Sequence, residues 1–128
     1  MVGLGNRPPA FGPRRGDIHF IAFPDSGGQV IRGPHPAVVV QADALQRSST
    51  TIVVPMTSSP RAAELAPPFL VAVSGRETGL DRDGWVKCDQ PMTLPTTFLG
   101  PRAGRLNPQS LARVDTALRF VFDLQPIR

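Results

Sequence analysis

Residues 37–56 read AVVVQADALQRSSTTIVVPM, and the pattern of this stretch is the strongest indication of the fold. Two β-branched runs, at residues 37–41 and 51–56, stand on either side of a polar segment. Each run is too short for a stable helix and is rich in the residue types that favour strands. The stretch therefore predicts two buried strands with a polar connection between them.

The rest of the chain is divided into short pieces by 15 Pro and 12 Gly among 128 residues, which is typical of strands and turns. Further strands are predicted at residues 17–23, 69–73, 85–89 and 91–94. Loops are predicted at residues 25–36, 60–68 and 74–84, with a flexible lead-in at 1–13. About six strands with irregular connections favour a small barrel, in one domain over residues 14–128.

The C-terminal segment has a different, helical period. Asn107 followed by Pro108 predicts a helix start, with Asn as the cap and Pro at the first helical position. Apolar residues then recur every three or four positions, at Leu111, Val114, Leu118 and Val121. The helix should run to about residue 123 and end before Pro126. The predicted fold is therefore mainly β, a small barrel closed by one amphipathic C-terminal helix.

Composition narrows the classes of function. The formal net charge of +4 is compatible with a polyanionic partner without requiring one. No apolar run approaches the roughly 18 residues that cross a bilayer, and the N-terminal residues lack the apolar core of a signal peptide. One cysteine and two histidines give neither a disulfide nor a metal-ligand spacing. These features predict a small cytoplasmic domain that uses no metal, cofactor or membrane.

Two places carry side chains suited to chemistry on a phosphate. His35 lies between two prolines that stiffen the backbone, so the loop either presents the imidazole rigidly or leaves it idle in solvent. Thr57, Ser58 and Ser59 follow the second β-branched run. Their hydroxyls either donate to phosphate oxygens or cap a turn.

Charged residues near the fifth predicted strand are open to two interpretations. Lys87 and Asp89 are predicted to project from one strand face, either as a structural ion pair or as functional groups. Cys88 has no histidine near it in the sequence, which favours a small buried hydrophobe over a nucleophile. Asp81 and Asp83 favour a solvated, turn-forming pair over part of a cation site.

A consistent order of short motifs links these segments. They read RGDI at 15–18, RG at 32–33, HPAVVVQ at 35–41, IVVPMTS at 52–58, TGLD at 78–81, CDQ at 88–90 and GRL at 104–106. In this order they resemble the MazF/PemK family of toxin–antitoxin endoribonucleases, over residues 14–124. The resemblance implies an SH3-like barrel, a symmetric homodimer and a cognate antitoxin. It also implies metal-free cleavage of single-stranded RNA, in which the substrate's 2′-hydroxyl attacks the adjacent phosphate and leaves a cyclic phosphate and a free 5′-hydroxyl.

The resemblance also assigns roles to single residues. Thr57 matches the family's active-site threonine, which implies phosphate binding. His35 stands where most members have an Arg before Pro, which implies a general acid or base in place of a guanidinium, with Arg32 nearby to supply positive charge. Asp89 matches the Asp of the Cys-Asp-Gln motif, and Lys87 matches a basic residue before it. Both are therefore predicted to take part in catalysis.

RNA binding is predicted for a further set of polar residues, which are Gln29, Arg32, Ser58, Ser59 and Gln90. Residues 28–31 stand where the family has Gly-x-Glu-Gln, so the acidic residue of that loop is absent here. This absence keeps open a catalytically weak or inactive barrel that binds RNA or a partner. A gyrase-poisoning toxin is a second alternative, since that class shares the barrel fold.

Overall fold

The computed structural model describes residues 12–65 and 67–124, and most of the predicted lead-in at 1–13 lies outside them. The described chain forms seven strands: β1 (Asp17–Phe23), β2 (Gly33–Val39), β3 (Thr50–Thr57), β4 (Leu70–Val73), β5 (Gly84–Lys87), β6 (Met92–Pro95) and β7 (Arg102–Arg105). Its three α-helices are α1 (Pro60–Leu65), α2 (Gly75–Thr78) and α3 (Pro108–Phe122). The predicted mainly β fold with a C-terminal helix is confirmed.

The strands form a curled antiparallel sheet in the order β4–β5–β3–β2–β1–β7, with β6 beside β3. One edge of β3 pairs with β2. The other edge is shared, since β6 pairs with residues 50–53 and β5 pairs with residues 56–57. Because two strands divide this edge, the sheet splits there and curls into a half-barrel.

Both faces of β2 and β3 are covered, which explains why their apolar runs are continuous rather than alternating. One core cluster includes Val38, Val54 and, from α3, Val114. A second cluster, on the opposite face of the two strands, includes Val39 and Val53. None of these five side chains is more than 1% exposed. The prediction of two buried strands in the stretch 37–56 is confirmed.

The C-terminal helix α3 begins and ends where the sequence predicts. The side chain of Asn107 caps the first turn by accepting a hydrogen bond from a backbone N–H at 2.8 Å. The helix ends at Phe122, and Asp123 follows in a left-handed conformation with a φ of 55°. The predicted apolar stripe packs on the barrel core, with Val114 buried and with Leu111, Leu118 and Val121 half-buried.

The motif at residues 15–17 is structural. Asp17 is 7% exposed, and its Oδ1 accepts hydrogen bonds from Arg105 Nη1 at 2.8 Å and from Arg102 Nε at 3.3 Å, both on β7. Arg15 forms an ion pair with Asp115 of α3. The motif therefore joins β1 to the edge strand on one side and to the C-terminal helix on the other. We call the contacts of Asp17 with Arg102 and Arg105 the Asp17 latch.

The first half of β2 lies in a segment predicted as a loop. The strand begins at Gly33, whereas the sequence pattern places its start at residue 37. Pro34 and Pro36 both pair with β1. Pairing with β3 starts only at Ala37, so the prolines lie where one edge of the strand is open and proline is tolerated.

Other elements also differ from the predictions. Helices α1 and α2 lie in predicted loops, and β7 was not predicted. Strand β5 ends at Lys87, and Asp89 lies in a turn in which Gln90 N donates to the Lys87 carbonyl oxygen at 3.0 Å. The prediction that Lys87 and Asp89 share one strand face is therefore wrong. These elements are too short for periodicity to reveal them, because four residues span about one helical turn.

Candidate active site

A cavity of about 710 Å³ opens at the ends of β2 and β3. We call it the cleft. One wall consists of residues of β1, β2 and β3 and the two serines after β3, which are Phe20, Pro34, His35, Pro36, Met56, Thr57, Ser58 and Ser59. A second wall is the segment of residues 79–84, which connects α2 to β5. The cleft therefore brings together the predicted histidine and the three predicted hydroxyl residues.

His35 is held in a defined state by the neighbouring strand. It is half-buried on β2, and its Nδ1 lies 3.0 Å from the carbonyl oxygen of Met56 on β3. A carbonyl oxygen can only accept, so Nδ1 carries a proton and donates it. In the neutral ring Nε2 is then the nitrogen with a free lone pair. His35 can therefore accept a proton from a bound hydroxyl group through Nε2.

Two of the three hydroxyl residues, Thr57 and Ser59, take the turn-capping role that the sequence left open. Thr57 is the last residue of β3, and its Oγ1 accepts a hydrogen bond from Ser59 N at 3.2 Å. Ser59 Oγ in turn accepts from Arg61 N at 3.3 Å. Ser58 and Ser59 are exposed. Because the oxygens of Thr57 and Ser59 accept from the backbone, their own hydrogens remain available to donate to an anion.

Two glycines allow the wall at residues 79–84 to pack closely against β7 and β3. A Cβ at Gly79, where φ is 78°, would lie 2.4 Å from the carbonyl oxygen of Ala103. A Cβ at Gly84 would lie 2.7 Å from the carbonyl oxygen of Thr57. Larger residues would therefore push the wall away from Thr57, so glycine at these positions sets the width of the cleft.

Arg82 in this wall lines the cleft, although it was not predicted as a site residue from the sequence. Its side chain is 71% exposed and lines the cleft together with its acidic neighbours Asp81 and Asp83. Asp83 Oδ1 accepts from Gly75 N at 2.8 Å, which agrees with its predicted role in a turn. The sequence pattern of the run Asp-Arg-Asp is typical of a solvated turn, and only the packing of Gly79 and Gly84 places the run in the wall of the cleft.

Gln29, Arg32 and Gln90 lie apart from the residues that line the cleft. The Gln90 amide accepts from Ile31 N at 2.8 Å and donates to the Gln29 carbonyl oxygen at 3.0 Å. Gln90 therefore ties the β1–β2 connection to the turn between β5 and β6. The side chains of Gln29 and Arg32 are exposed on this connection.

Lys87 and Asp89 also lie outside the lining of the cleft. In the described part of the chain, neither forms an ion pair, and Asp89 is exposed. Cys88 between them is 0% exposed. Burial, and to a lesser degree the nearby carboxylates of Asp89 and Asp115, raise the pKa of the Cys88 thiol to about 12. A thiol held neutral in this way is not a nucleophile.

Residues 12–65 and 67–124 contain no group of three or more His, Cys, Asp or Glu side chains placed to hold a metal ion. None of their helices is both long and apolar enough to cross a membrane.

Solved structures share this fold, which is a small curled antiparallel barrel with a C-terminal helix. An endoribonuclease in complex with its cognate antitoxin, from Mycobacterial species, has a TM-score of 0.71 at 24% identity, covering 91% of this chain and 100% of that chain. MazF from Deinococcus radiodurans has a TM-score of 0.73 at 20% identity, covering 88% of this chain and 98% of that chain. At these identities the likeness establishes the fold.

Sequence comparisons identify the family. The family model for the PemK-like, MazF-like toxin of type II toxin–antitoxin systems matches residues 14–122, and the chain belongs to this family. Endoribonuclease MazF9 of Mycobacterium tuberculosis is 32% identical over 117 residues, which cover 87% of this chain and 97% of the relative. Endoribonuclease EndoA of Bacillus subtilis is 29% identical, over 84% of this chain and 91% of the relative. The predicted MazF/PemK family and endoribonuclease class are confirmed.

Proposed function

We propose that this protein is the toxin of a toxin–antitoxin pair and that it cuts single-stranded RNA in the cleft, at selected sequences and without a metal ion. The observation that carries the proposal is the His35 imidazole, which donates through Nδ1 to Met56 and lies in one cleft with three hydroxyls. A proton acceptor beside hydrogen-bond donors is what phosphodiester cleavage by a neighbouring hydroxyl requires.

The reaction follows from this arrangement. Nε2 of His35 takes the proton of the substrate's 2′-hydroxyl, and the 2′-oxygen attacks the adjacent phosphorus. The bond from phosphorus to the 5′-oxygen breaks, and that oxygen leaves with a proton from water, whose hydroxide then takes the proton that His35 carries. The products are a 2′,3′-cyclic phosphate and a free 5′-hydroxyl. Hydroxyl donors at Thr57 and Ser58 stabilise the charge that develops on the phosphate oxygens.

The predicted residues outside the cleft take other roles. Gln29 and Arg32 lie in the β1–β2 connection, whereas Lys87, Asp89 and Gln90 lie at the turn between β5 and β6, which Gln90 joins to that connection. We assign these five residues to contacts with nucleotides that flank the cut, where Arg32 and Lys87 meet backbone phosphates. The proton transfer is left to His35.

A homodimer and an antitoxin complete the proposed function, which we place in the cytoplasm. Large apolar side chains are exposed at the end of α3 and just beyond it, with Phe120 and Leu124 each 60% exposed. The endoribonuclease with the similar fold was solved in complex with its cognate antitoxin. Light scattering of the purified chain should give twice the monomer mass, and a monomer at micromolar concentration would contradict the homodimer.

The test of the function is cleavage of a long transcript in the presence of EDTA. We expect discrete cuts at a common short sequence, whose downstream fragments carry 5′-hydroxyl ends and can be ligated only after phosphorylation. Saturable RNA binding without any cuts would contradict the proposal and favour the inactive barrel. Topoisomerase inhibition without cuts would contradict it and favour a gyrase poison.

A further inference from the structure

Phe20 is an exposed aromatic side chain in the wall of the cleft. It is 43% exposed, whereas Ile18, two positions away on the same face of β1, is 0% exposed. Its backbone is fixed, because Phe20 N donates to the Pro101 carbonyl oxygen at 3.1 Å and its own carbonyl oxygen accepts from Gly100 N at 2.7 Å. An exposed aromatic ring on a fixed strand in the wall of a cleft is a surface on which nucleic-acid bases stack.

Arg82 faces the same cleft and supplies its positive charge. Among the residues that the structure describes, no other Lys or Arg lines the cleft. The guanidinium has one loose partner, since its Nε lies 3.9 Å from Asp81 Oδ1 and both side chains are largely exposed. An exposed pair of this kind contributes little stability, so a phosphate can replace the carboxylate.

We propose that Phe20 and Arg82 form a nucleotide subsite of the cleft, in which the ring stacks on one base of single-stranded RNA and the guanidinium pairs with a backbone phosphate. The subsite rests on the proposed RNA cleavage, because it positions the strand across His35 and Thr57. It takes no part in the proton transfer. Asp81 competes with the phosphate for Arg82 and therefore weakens binding.

Binding of a single-stranded 2′-deoxy oligonucleotide of mixed sequence tests the subsite, because this ligand lacks the hydroxyl needed for cleavage. Phe20→Ala should weaken binding about 5- to 100-fold, as expected for loss of one stacked base. Arg82→Gln should also weaken it and should reduce the slope of log affinity against log salt by about 0.7, the value for one phosphate contact. Arg82→Lys should keep the slope, and Asp81→Asn should bind more tightly.

Two exposed residues outside the cleft provide matched controls. Phe98→Ala removes an aromatic side chain that is 46% exposed, and Arg76→Gln removes an exposed arginine of α2. Both should bind like the unmodified protein. Thermal unfolding shows that each variant is folded before its affinity is compared.

Failure of the subsite and failure of the proposed reaction give different results. If Phe20→Ala and Arg82→Gln bind the oligonucleotide as tightly as the two controls while the unmodified protein cuts RNA, the subsite is overturned and the reaction stands. If both variants lose affinity as expected but the unmodified protein cuts no RNA, the proposed reaction is overturned and the subsite stands.

Discussion

At the scale of single residues, the hydrogen bond of His35 decides which of its nitrogens can do chemistry. Met56 fixes the proton on Nδ1, so the free lone pair of the neutral ring is on Nε2. Histidine is the side chain that exchanges protons near neutral pH, which suits a general base. An arginine at the same position would offer hydrogen-bond donors and positive charge instead.

The variant His35→Asn distinguishes the roles of the two ring nitrogens. The asparagine amide can still donate to the Met56 carbonyl oxygen, so the fold is kept, but no group remains at the position of Nε2. We expect kcat for RNA cleavage to fall about 100-fold or more. The same substitution at His19 is the matched control, because His19 Nδ1 donates to the Gly100 carbonyl oxygen at 2.9 Å and the residue lies outside the cleft. Full activity of His35→Asn would contradict the assigned role of His35.

Cys88 gives a second prediction at this scale. At about pH 9.5 a thiol with the ordinary pKa of 9.0 is mostly thiolate and reacts readily with iodoacetamide. Because the pKa of Cys88 is raised to about 12, its thiol stays protonated and shielded in the folded protein. Mass spectrometry should detect alkylation only after the chain is unfolded with denaturant. Rapid alkylation of the folded protein would show that Cys88 is neither buried nor neutral.

At the scale of the elements, the Asp17 latch fastens β7 to β1. The Asp17 carboxylate is nearly buried, and the side chains of Arg102 and Arg105 that bind it are 52% and 37% exposed, so water weakens but does not remove the interaction. The latch compensates for the short pairing between these strands, where the register shifts after Ile18.

The latch predicts a loss of stability in Asp17→Asn. The amide keeps the shape but not the charge, so two guanidinium groups lose their charged acceptor. We expect the free energy of unfolding in urea to fall by about 1–3 kcal/mol. Asp25→Asn is the control, since Asp25 is exposed and its bond to Gly27 N at 3.0 Å can be accepted by either side chain. Equal stability of the two variants would contradict the latch.

The elements also show what the sequence could and could not predict. The strands in the stretch 37–56 and helix α3 were predictable because long apolar patterns and a cap determine them locally. Strand β7 was not, because its sequence RAGR shows no pattern and it forms only where β1 offers an edge. The same holds for Arg82, since its place in the cleft depends on Gly79 packing against Ala103, far away in the chain.

At the scale of the whole molecule, three separate parts of the chain build the cleft: the β1–β2 pair, the end of β3 and the segment 79–84. The net charge of +4 does not locate this site. Arg15, Arg102 and Arg105 are held in ion pairs that support the barrel, whereas Arg82 lines the cleft that also contains His35. The proposed RNA site therefore depends on where the charged side chains lie and not on the total charge.

In the proposed reaction the cleft uses the substrate's own 2′-hydroxyl, with His35 as the base. The most direct test is an RNA oligonucleotide that spans a mapped cut and carries one 2′-deoxy sugar immediately before the cut phosphate. Incubated with the protein in EDTA, this substrate should remain intact, while the all-ribose oligonucleotide is cut to a cyclic phosphate and a 5′-hydroxyl. Cleavage of the 2′-deoxy substrate at the same bond would show that the reaction does not use the 2′-hydroxyl.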